Sequence, residues 1–186
     1  MDRQPVLTGE RLILRPLEPA DWDALYAVAS DPELWAMHPM HDRWQEPVFR
    51  AFFDDALAKG GALAVVLRET GRIVGSSRYQ GYSPEDGGRV EIGWTFLARE
   101  LWGGGYNAEM KRLMLGHALG QVACAVFEVG EDNLISRGAM KKIGGRLRPE
   151  VKRIATPHGE VVHVVYEIRR EDFAAGPLGR RGDMAG

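Results

Sequence analysis

The chain has 186 residues, of which 45% are hydrophobic, and a chain of this length suits one globular domain with a sizeable core. Its 24 basic and 26 acidic residues leave a formal net charge of -2, so no strong basic field attracts nucleic acid or an anionic membrane. A single cysteine, Cys124, excludes an intramolecular disulfide and a cysteine-based metal cluster. Because the N-terminus has no apolar stretch behind it and the longest apolar runs are strand-sized, we expect a cytoplasmic protein that does not span a membrane.

The first half of the chain predicts one strand, two helices and a hairpin. Apolar residues at helical spacing define the longer helix, which ends at two glycines. The hairpin consists of two β-rich runs joined by a Glu-Thr-Gly turn. In chain order, we predict a strand over Arg11–Leu17, helices over Asp21–Ala29 and Glu46–Lys59, and strands over Ala62–Arg68 and Arg72–Arg78.

A fourth strand is predicted over Arg89–Leu97, where apolar residues alternate with other residues. Such a strand is buried on one face. The alternation places Val90, Ile92, Trp94 and Phe96 on that face, and Glu91, Gly93 and Thr95 on the opposite one.

Three consecutive glycines, Gly103 to Gly105, follow this strand and run into an amphipathic helix that ends near Gly120. Glycine lets the backbone turn tightly and approach a ligand closely. The first turn of a helix offers unpaired N–H groups and the positive end of the helix dipole. The order strand, glycine loop, helix therefore predicts an anion cradle suited to phosphate.

The remaining elements are a buried strand, a short helix and two final strands, predicted over Ala123–Val129, Asn133–Ile143, Leu147–Ile154 and Val161–Arg169. All the elements together predict an α/β domain with a mixed sheet over residues 1–175. Residues 176–186 contain too few apolar side chains to pack, so we expect a flexible C-terminal tail.

Several ordered segments resemble the GNAT superfamily of acyl-CoA N-acyltransferases, in the branch that includes the ribosomal-protein N-terminal acetyltransferases. These segments are TGERLILRPL, VEIGWTF, LWGGGYNAE, EVGEDNLISRGAMKKIGG and HGEVVHVVYEI. The resemblance covers nearly the whole domain. It implies the GNAT fold, which has a mixed, mostly antiparallel central sheet splayed between its fourth and fifth strands, with helices on both faces.

The resemblance also implies acetyl-CoA as a co-substrate. The family's pyrophosphate loop, (Q/R)xxGx(G/A), matches Trp102 to Asn107, although Trp102 replaces Gln or Arg and Asn107 replaces Gly or Ala. Because main-chain N–H groups make the cradle, binding is expected to survive both changes. Lys111 or Arg112 would assist the 3′-phosphate. By resemblance, the residues that bind the cofactor are Phe96, Leu97, Trp102, Gly103, Gly104, Gly105, Tyr106, Asn107 and Asn133.

N-acetylation needs a base for the amine and a donor for the departing thiolate. By resemblance Glu91 is the base, acting through water, and an ion-paired or solvated glutamate is the equal alternative. Ser136 is the donor, because Met140 stands where the family often has a tyrosine acid. The alternative for Ser136 is a helix-surface serine that bonds to the local backbone.

The loop between the first two helices carries Trp35, Met37 and His38, which by resemblance line the acceptor pocket; ordinary packing is the alternative. His38 and His41 form an HxxH pair in this loop. No third ligand is suitably spaced, so we predict no metal site.

The sequence therefore predicts an acetyl-CoA-dependent N-acetyltransferase. The acceptor is a primary amine, on a protein N-terminus or a small molecule, and it attacks directly in a ternary complex. One alternative is a non-catalytic CoA-binding module that has lost its acid. A second is a mononucleotide-binding protein, which the absence of a P-loop Lys-Ser/Thr disfavours. We expect no nucleic-acid or membrane partner, and the chain is compatible with a monomer or a homodimer.

Overall fold

The computed structural model describes residues 1–156 and 158–179. Its strands are β1 (Leu7–Thr8), β2 (Leu12–Pro16), β3 (Ala62–Leu67), β4 (Ile73–Ser83), β5 (Arg89–Leu97), β6 (Cys124–Gly130), β7 (Arg146–Thr156) and β8 (Gly159–Arg169). Its α-helices are α1 (Trp22–Ala29), α2 (Glu46–Lys59), α3 (Tyr106–Leu119), α4 (Leu134–Lys142) and α5 (Arg170–Ala175). The predicted α/β class is confirmed. The short β1 was not predicted, so the strands predicted as the fourth and fifth are numbered β5 and β6 here.

The strands form one sheet in the order β1-β2-β3-β4-β5-β6-β8-β7. Strands β5 and β6 run parallel, whereas the other neighbours are antiparallel. The parallel ladder is short: it joins Arg89 to Cys124, Val90 to Ala125 and Glu91 to Val126. Both strands continue beyond these pairs without pairing to each other, which confirms the predicted splay. We call the space that opens between β5 and β6 beyond the Glu91–Val126 pair the wedge.

A β-bulge interrupts β5 at the wedge. Trp94 has a φ of 52°, in the left-handed region that residues other than glycine rarely adopt. Strand β5 pairs with β4 through Gly93 and again through Phe96, so that Trp94 and Thr95 both oppose the single residue Ser77.

The bulge reverses which face each later residue of β5 occupies. Val90, Ile92 and Leu97 pack in the core cluster that includes α3, whereas Phe96 packs in the cluster that includes α2. The prediction that Phe96 shares a face with Val90 and Ile92 is therefore wrong. The physical reason is that one extra residue shifts the period-two alternation by one position.

Two hydrophobic layers cover the two faces of the sheet. On one face, α3 buries Met110 and Met114, which have no exposed surface. On the other, α2 buries Phe49 and Phe53 at helical spacing. The sheet therefore separates an α3 face from an α2 face, and the wedge connects them.

The packed chain extends slightly beyond the predicted domain boundary. Leu178 is only 5% exposed and belongs to the core cluster on the α3 face. The rest of the predicted tail, residues 180–186, lies outside the described residues. Among the described helices, none has the length and apolar character that crossing a bilayer requires.

Candidate functional site

The glycine loop leaves the N-terminus of α3 open. Gly105 precedes the helix with a φ of 80°, and its cap position offers no side-chain hydrogen bond to the first turn within the described part of the chain. The first N–H groups of a helix have no intrahelical acceptors. A Cβ atom built on Gly103 would meet nothing within 4 Å, so there is space beside these donors. The loop thus fits the phosphate group that the sequence predicted for it.

Arg11 adds a positive charge beside this loop. Its Nη1 donates to the carbonyl oxygen of Gly104 at 2.8 Å, and its Nε donates to the carboxylate of Glu109 on α3 at 2.9 Å. The guanidinium also lies over the ring of Tyr106, 4.1 Å from its centroid. Arg11 therefore orders the loop, and no local sequence pattern indicated it because its partners are more than 90 residues away.

The edge of β5 that faces the wedge has backbone groups that are not paired with β6. The N–H of Ala98 donates to Val74 of β4, so the polar groups of Leu97, one residue earlier, point away from β4 and toward the wedge. The carbonyl oxygen of Leu97 accepts from the indole Nε1 of Trp102 at 2.9 Å. The N–H of Leu97 is the group that an extended ligand can pair with here.

Lys111 reaches from α3 toward the wedge. Its side chain is buried, and its Nζ donates to Thr95 Oγ1 at 2.7 Å. The same Nζ lies 5.4 Å from the centroid of the Phe127 ring, on β6. Burial lowers the pKa of Lys111 to about 7. The suggestion that Lys111 assists the 3′-phosphate is therefore wrong, because its amine faces the interior; Arg112, half-buried on the same helix, remains a candidate.

Two carboxylates face each other across the α2 side of the β5–β6 ladder. Glu91 pairs with Val126, and Glu128 follows two residues later on the same face of β6. Burial, followed by the negative charge of Glu128, raises the pKa of Glu91 to about 7. Lys152 of β7 forms an ion pair with Glu128. Glu91 is therefore held by the fold in a form that can exchange a proton near neutral pH.

This carboxylate pair lines a cleft of about 80 Å³ that is bounded by β4, β5, β6, β7 and β8. His163 of β8 lies on the same face, two residues from Val165 in that cleft. Its Nδ1 is buried without a hydrogen-bond partner among the described residues, and burial lowers its pKa. A larger groove, of about 330 Å³, lies between α1 and the Ala98–Glu100 segment, and none of the predicted site residues lines it.

The loop predicted to border the acceptor pocket closes the α2 side. Pro39 lies against Gly130, at the end of β6, so closely that a Cβ atom there would come within 2.8 Å. Trp35 is only 2% exposed and donates from Nε1 to Ala29, which supports the packing alternative for this residue. Met37 is 54% exposed. His38 lies close enough to His163 for the charge of that residue to affect its pKa.

His38 is a neutral imidazole. Its Nδ1 accepts from the N–H of Met40 at 3.0 Å. Burial, followed by the positive charges of Arg43 and His163, lowers the pKa of His38 to about 3. The ring of the other histidine of the HxxH pair, His41, instead lies against the ring of His158, with 4.6 Å between centroids and 37° between the planes. No metal-binding group of three or more side chains occurs among the residues that the structure describes.

The N-terminus of α4 carries the two remaining predicted residues. Asn133 caps the helix, because its Oδ1 accepts from the N–H of Ser136 at 3.0 Å. The amide nitrogen is the part of Asn133 that is left to reach a ligand. Ser136 is half-buried in the first turn. Met140, at the position of the missing tyrosine, is only 5% exposed and packs in the core.

Residues 11–146 match the Acetyltransferase (GNAT) domain family, and the chain belongs to this family of acetyltransferases, whose members use acetyl-CoA. It is 30% identical over 116 residues to the uncharacterized N-acetyltransferase p20 of Bacillus licheniformis, an alignment that covers 60% of this chain and 64% of that protein. The chain thus matches less than two thirds of that curated relative.

Solved structures share the architecture. A putative acetyltransferase from T. thermophilus is 26% identical with a TM-score of 0.77, over 95% of this chain and 94% of that one. RimJ of Mycobacterium smegmatis, solved in complex with CoA-disulfide, is 19% identical with a TM-score of 0.71, over 91% of this chain and 87% of that one. At that identity, the likeness to RimJ establishes the fold.

Proposed function

We propose that the protein transfers an acetyl group from acetyl-CoA to a primary amine by direct attack in a ternary complex. One observation carries this proposal. The wedge places the free edge of β5 beside Glu91, whose pKa is raised to about 7 by burial and by Glu128. A general base works best when its pKa lies near the operating pH.

The donor would enter along the α3 end of the wedge. The residues that would hold its pyrophosphate are Gly103 to Asn107, through backbone N–H groups at the helix N-terminus. Leu97 would pair with the pantetheine arm through its N–H, and Asn133 would bind the same arm through its amide nitrogen. Phe96 would pack against β5 from the α2 face and hold Leu97 in position. The thioester supplies an acyl group whose carbonyl is open to attack.

The acceptor would enter from the α2 face. Lys152 balances the charge of Glu128 on this side of the wedge, so the ionised form of Glu91 is the charge that would attract a cationic ammonium group. Glu91 takes a proton from the ammonium through water, and the freed amine attacks. Ser136 donates a hydrogen bond toward the departing sulfur. His38 is uncharged and would border the acceptor without repelling it.

The cellular setting is part of the same proposal. The thiol of Cys124 has a pKa raised to about 11 by burial and by Glu167, so it stays protonated, in keeping with a reducing cytoplasm. We propose no membrane or nucleic-acid partner. Whether the chain acts as a monomer or a homodimer is measured by sedimentation equilibrium.

Thermal unfolding with and without ligands tests the donor. A ligand at a hundred times its dissociation constant adds about 2.7 kcal/mol to the free energy of unfolding, and a protein of this size gains roughly 2 to 4 °C per kcal/mol. We expect acetyl-CoA and CoA to raise Tm by several degrees, and ATP and NAD to leave it unchanged. A larger response to ATP or NAD would revive the mononucleotide alternative.

Release of free thiol from acetyl-CoA, measured with a panel of primary amines, tests the chemistry. The buried Met140 favours one competing function, a CoA-binding module without an acid, because a thioether has no proton to give. Such a module would show the thermal shift but release no CoA with any amine, small-molecule or peptide.

A further inference from the structure

Lys111 is a buried amine for which the mechanism above has no use. Its side chain is only 3% exposed. The pairing of β5 with β6 ends at Val126, and the next residue of β6 is Phe127, whose ring centroid lies 5.4 Å from the Lys111 Nζ. On the β5 side the amine contacts Thr95, the second residue of the bulge. The amine thus lies on the α3 side of the wedge, close to both of the strands that separate there.

The amine has neutral partners. Thr95 Oγ1 accepts from it at 2.7 Å and in turn lies 2.7 Å from Ser77 Oγ. Within residues 1–156 and 158–179, burial alone shifts the pKa of this group, and no carboxylate forms an ion pair with it. An unpaired charge is costly to bury. A negative charge that develops in the wedge would be the counter-ion that the folded protein lacks.

Acyl transfer from a thioester creates such a charge on the departing sulfur. We propose that Lys111 protonates this sulfur, an inference that rests on the proposed function. As the acceptor nitrogen bonds to the acyl carbon, the carbon–sulfur bond breaks and its electron pair stays on sulfur. The proton moves from Lys111 Nζ to sulfur, which leaves a thiol and a neutral amine. The acceptor nitrogen loses two protons, one from the ammonium before attack and one after the nitrogen–carbon bond forms; each passes in turn through Glu91 to water, and Lys111 regains a proton from water.

The other groups near the departing sulfur are poorer acids. A serine hydroxyl such as that of Ser136 donates a hydrogen bond, but an alcohol does not release its proton near neutral pH. Met140 has no proton to donate. Burial brings the pKa of Lys111 to about 7, where an ammonium is both present and able to give up its proton. Lys111 and Ser136 therefore have separate roles: the first transfers the proton, and the second orients the sulfur.

The test measures the pKa of the thiol of bound CoA, from the ultraviolet absorbance of the thiolate, in the unmodified protein and in Lys111→Met. A cation within about 4–6 Å lowers the pKa of an acid by 1–3 units. We expect a bound-thiol pKa about one unit or more lower in the unmodified protein than in the variant. Lys142→Met, which removes an exposed lysine of α4 and the same charge, is the control and keeps the lower value.

Turnover provides the second readout. We expect kcat with a reactive amine to fall about a hundredfold in Lys111→Met, the usual size of one lost acid, with little change in KM for acetyl-CoA. If the methionine variant fails to fold, Lys111→Gln keeps a hydrogen-bond donor for Thr95 while removing the charge, and the same results are expected.

Each other result is decisive. Equal bound-thiol pKa and equal kcat in the unmodified protein and Lys111→Met would reduce Lys111 to a structural residue. A bound-thiol pKa that stays low in Lys111→Met but rises in Ser136→Ala would assign the role to Ser136. Failure of the unmodified protein to bind CoA would overturn the proposed function and this inference together. If CoA binds but its thiol pKa is the same in Lys111→Met, only this inference fails.

Discussion

Glu91 shows how a surface-type residue becomes reactive through its neighbours. Alone on a strand it would be an ordinary carboxylate. Its register beside Val126 brings it next to Glu128, and burial together with that second charge raises its pKa to about 7. Since Glu91 accepts a proton only when ionised and Lys111 donates one only when protonated, kcat/KM of the unmodified protein should rise with pH up to about 7 and fall above it.

Glu91→Gln should lower kcat by about a hundredfold, the usual contribution of a general base, and should abolish the rise of kcat/KM near pH 7. The amide keeps the shape of the side chain but accepts no proton. Glu160→Gln, at a side chain that is 58% exposed on β8, is the control and should behave as the unmodified protein. A variant with full activity and an unchanged pH profile would leave Glu91 as a structural residue.

Lys111→Met should stabilise the protein, because it removes a buried amine that lacks an ion-pair partner. Burial holds the pKa of this group in the folded protein at about 7, against 10.5 for an ordinary lysine. Between these values the unfolded chain binds more protons, so the free energy of unfolding of the unmodified protein rises with pH. The gain from the substitution is therefore largest below about pH 7 and shrinks as the pH rises toward 10.5. Urea unfolding of both proteins across this pH range measures the gain in the free energy of unfolding. A gain that does not change with pH would contradict the burial of Lys111.

At the scale of elements, the loop and helix proposed to form the phosphate cradle should be separable from the fold. A bulky residue at Gly105, such as Gly105→Val, places a branched side chain at a φ of 80° and within 3.3 Å of Arg11. We expect it to abolish CoA binding, measured by calorimetry, while the circular dichroism spectrum stays unchanged. Gly116→Ala is the control on the same helix: it meets nothing within 4 Å and should stabilise the protein by about 0.5–1 kcal/mol with binding intact.

Elements whose boundaries depend on local chemistry could be predicted from the sequence. Helix α2 spans Glu46–Lys59 as predicted, because its periodic apolar residues and the glycine that follows are local signals. Strand β5 also has its predicted bounds, but the bulge at Trp94 is invisible in the alternation, so the face of Phe96 was wrong. The very short β1 and the helix α5 carry too few residues for a periodic signal.

The site itself was only partly predictable. The glycine loop is contiguous in the sequence and was identified there. The contact between Glu91 and Glu128 depends on the register of two parallel strands, which no local pattern determines. The sequence suggested Lys111 as help for the 3′-phosphate, and its burial could not be predicted because lysine is almost never fully buried.

At the scale of the whole molecule, the sheet would keep the two proposed substrates apart until they meet. The phosphate cradle and Lys111 belong to the α3 face, whereas Glu91 and Glu128 belong to the α2 face. Both substrates can therefore be bound at once, and initial rates measured at varied acetyl-CoA and amine should give intersecting double-reciprocal lines. Parallel lines would indicate a covalent acyl-enzyme, and Cys124→Ser, expected to keep full activity, would show whether the thiol takes part.

The free edge of β5 also provides a way to detect ligand binding from the exchange rate of one backbone amide. The N–H of Leu97 has no strand to pair with in the wedge, while that of Ala98 is bonded to Val74. In hydrogen–deuterium exchange, the Leu97 amide should exchange rapidly in the unliganded protein and slowly once a pantetheine arm is seated, with Ala98 slow in both states. Exchange at Leu97 that is indifferent to acetyl-CoA would contradict the pairing. A single backbone amide thus reports occupancy of the wedge directly, even for donors or analogues that are never turned over.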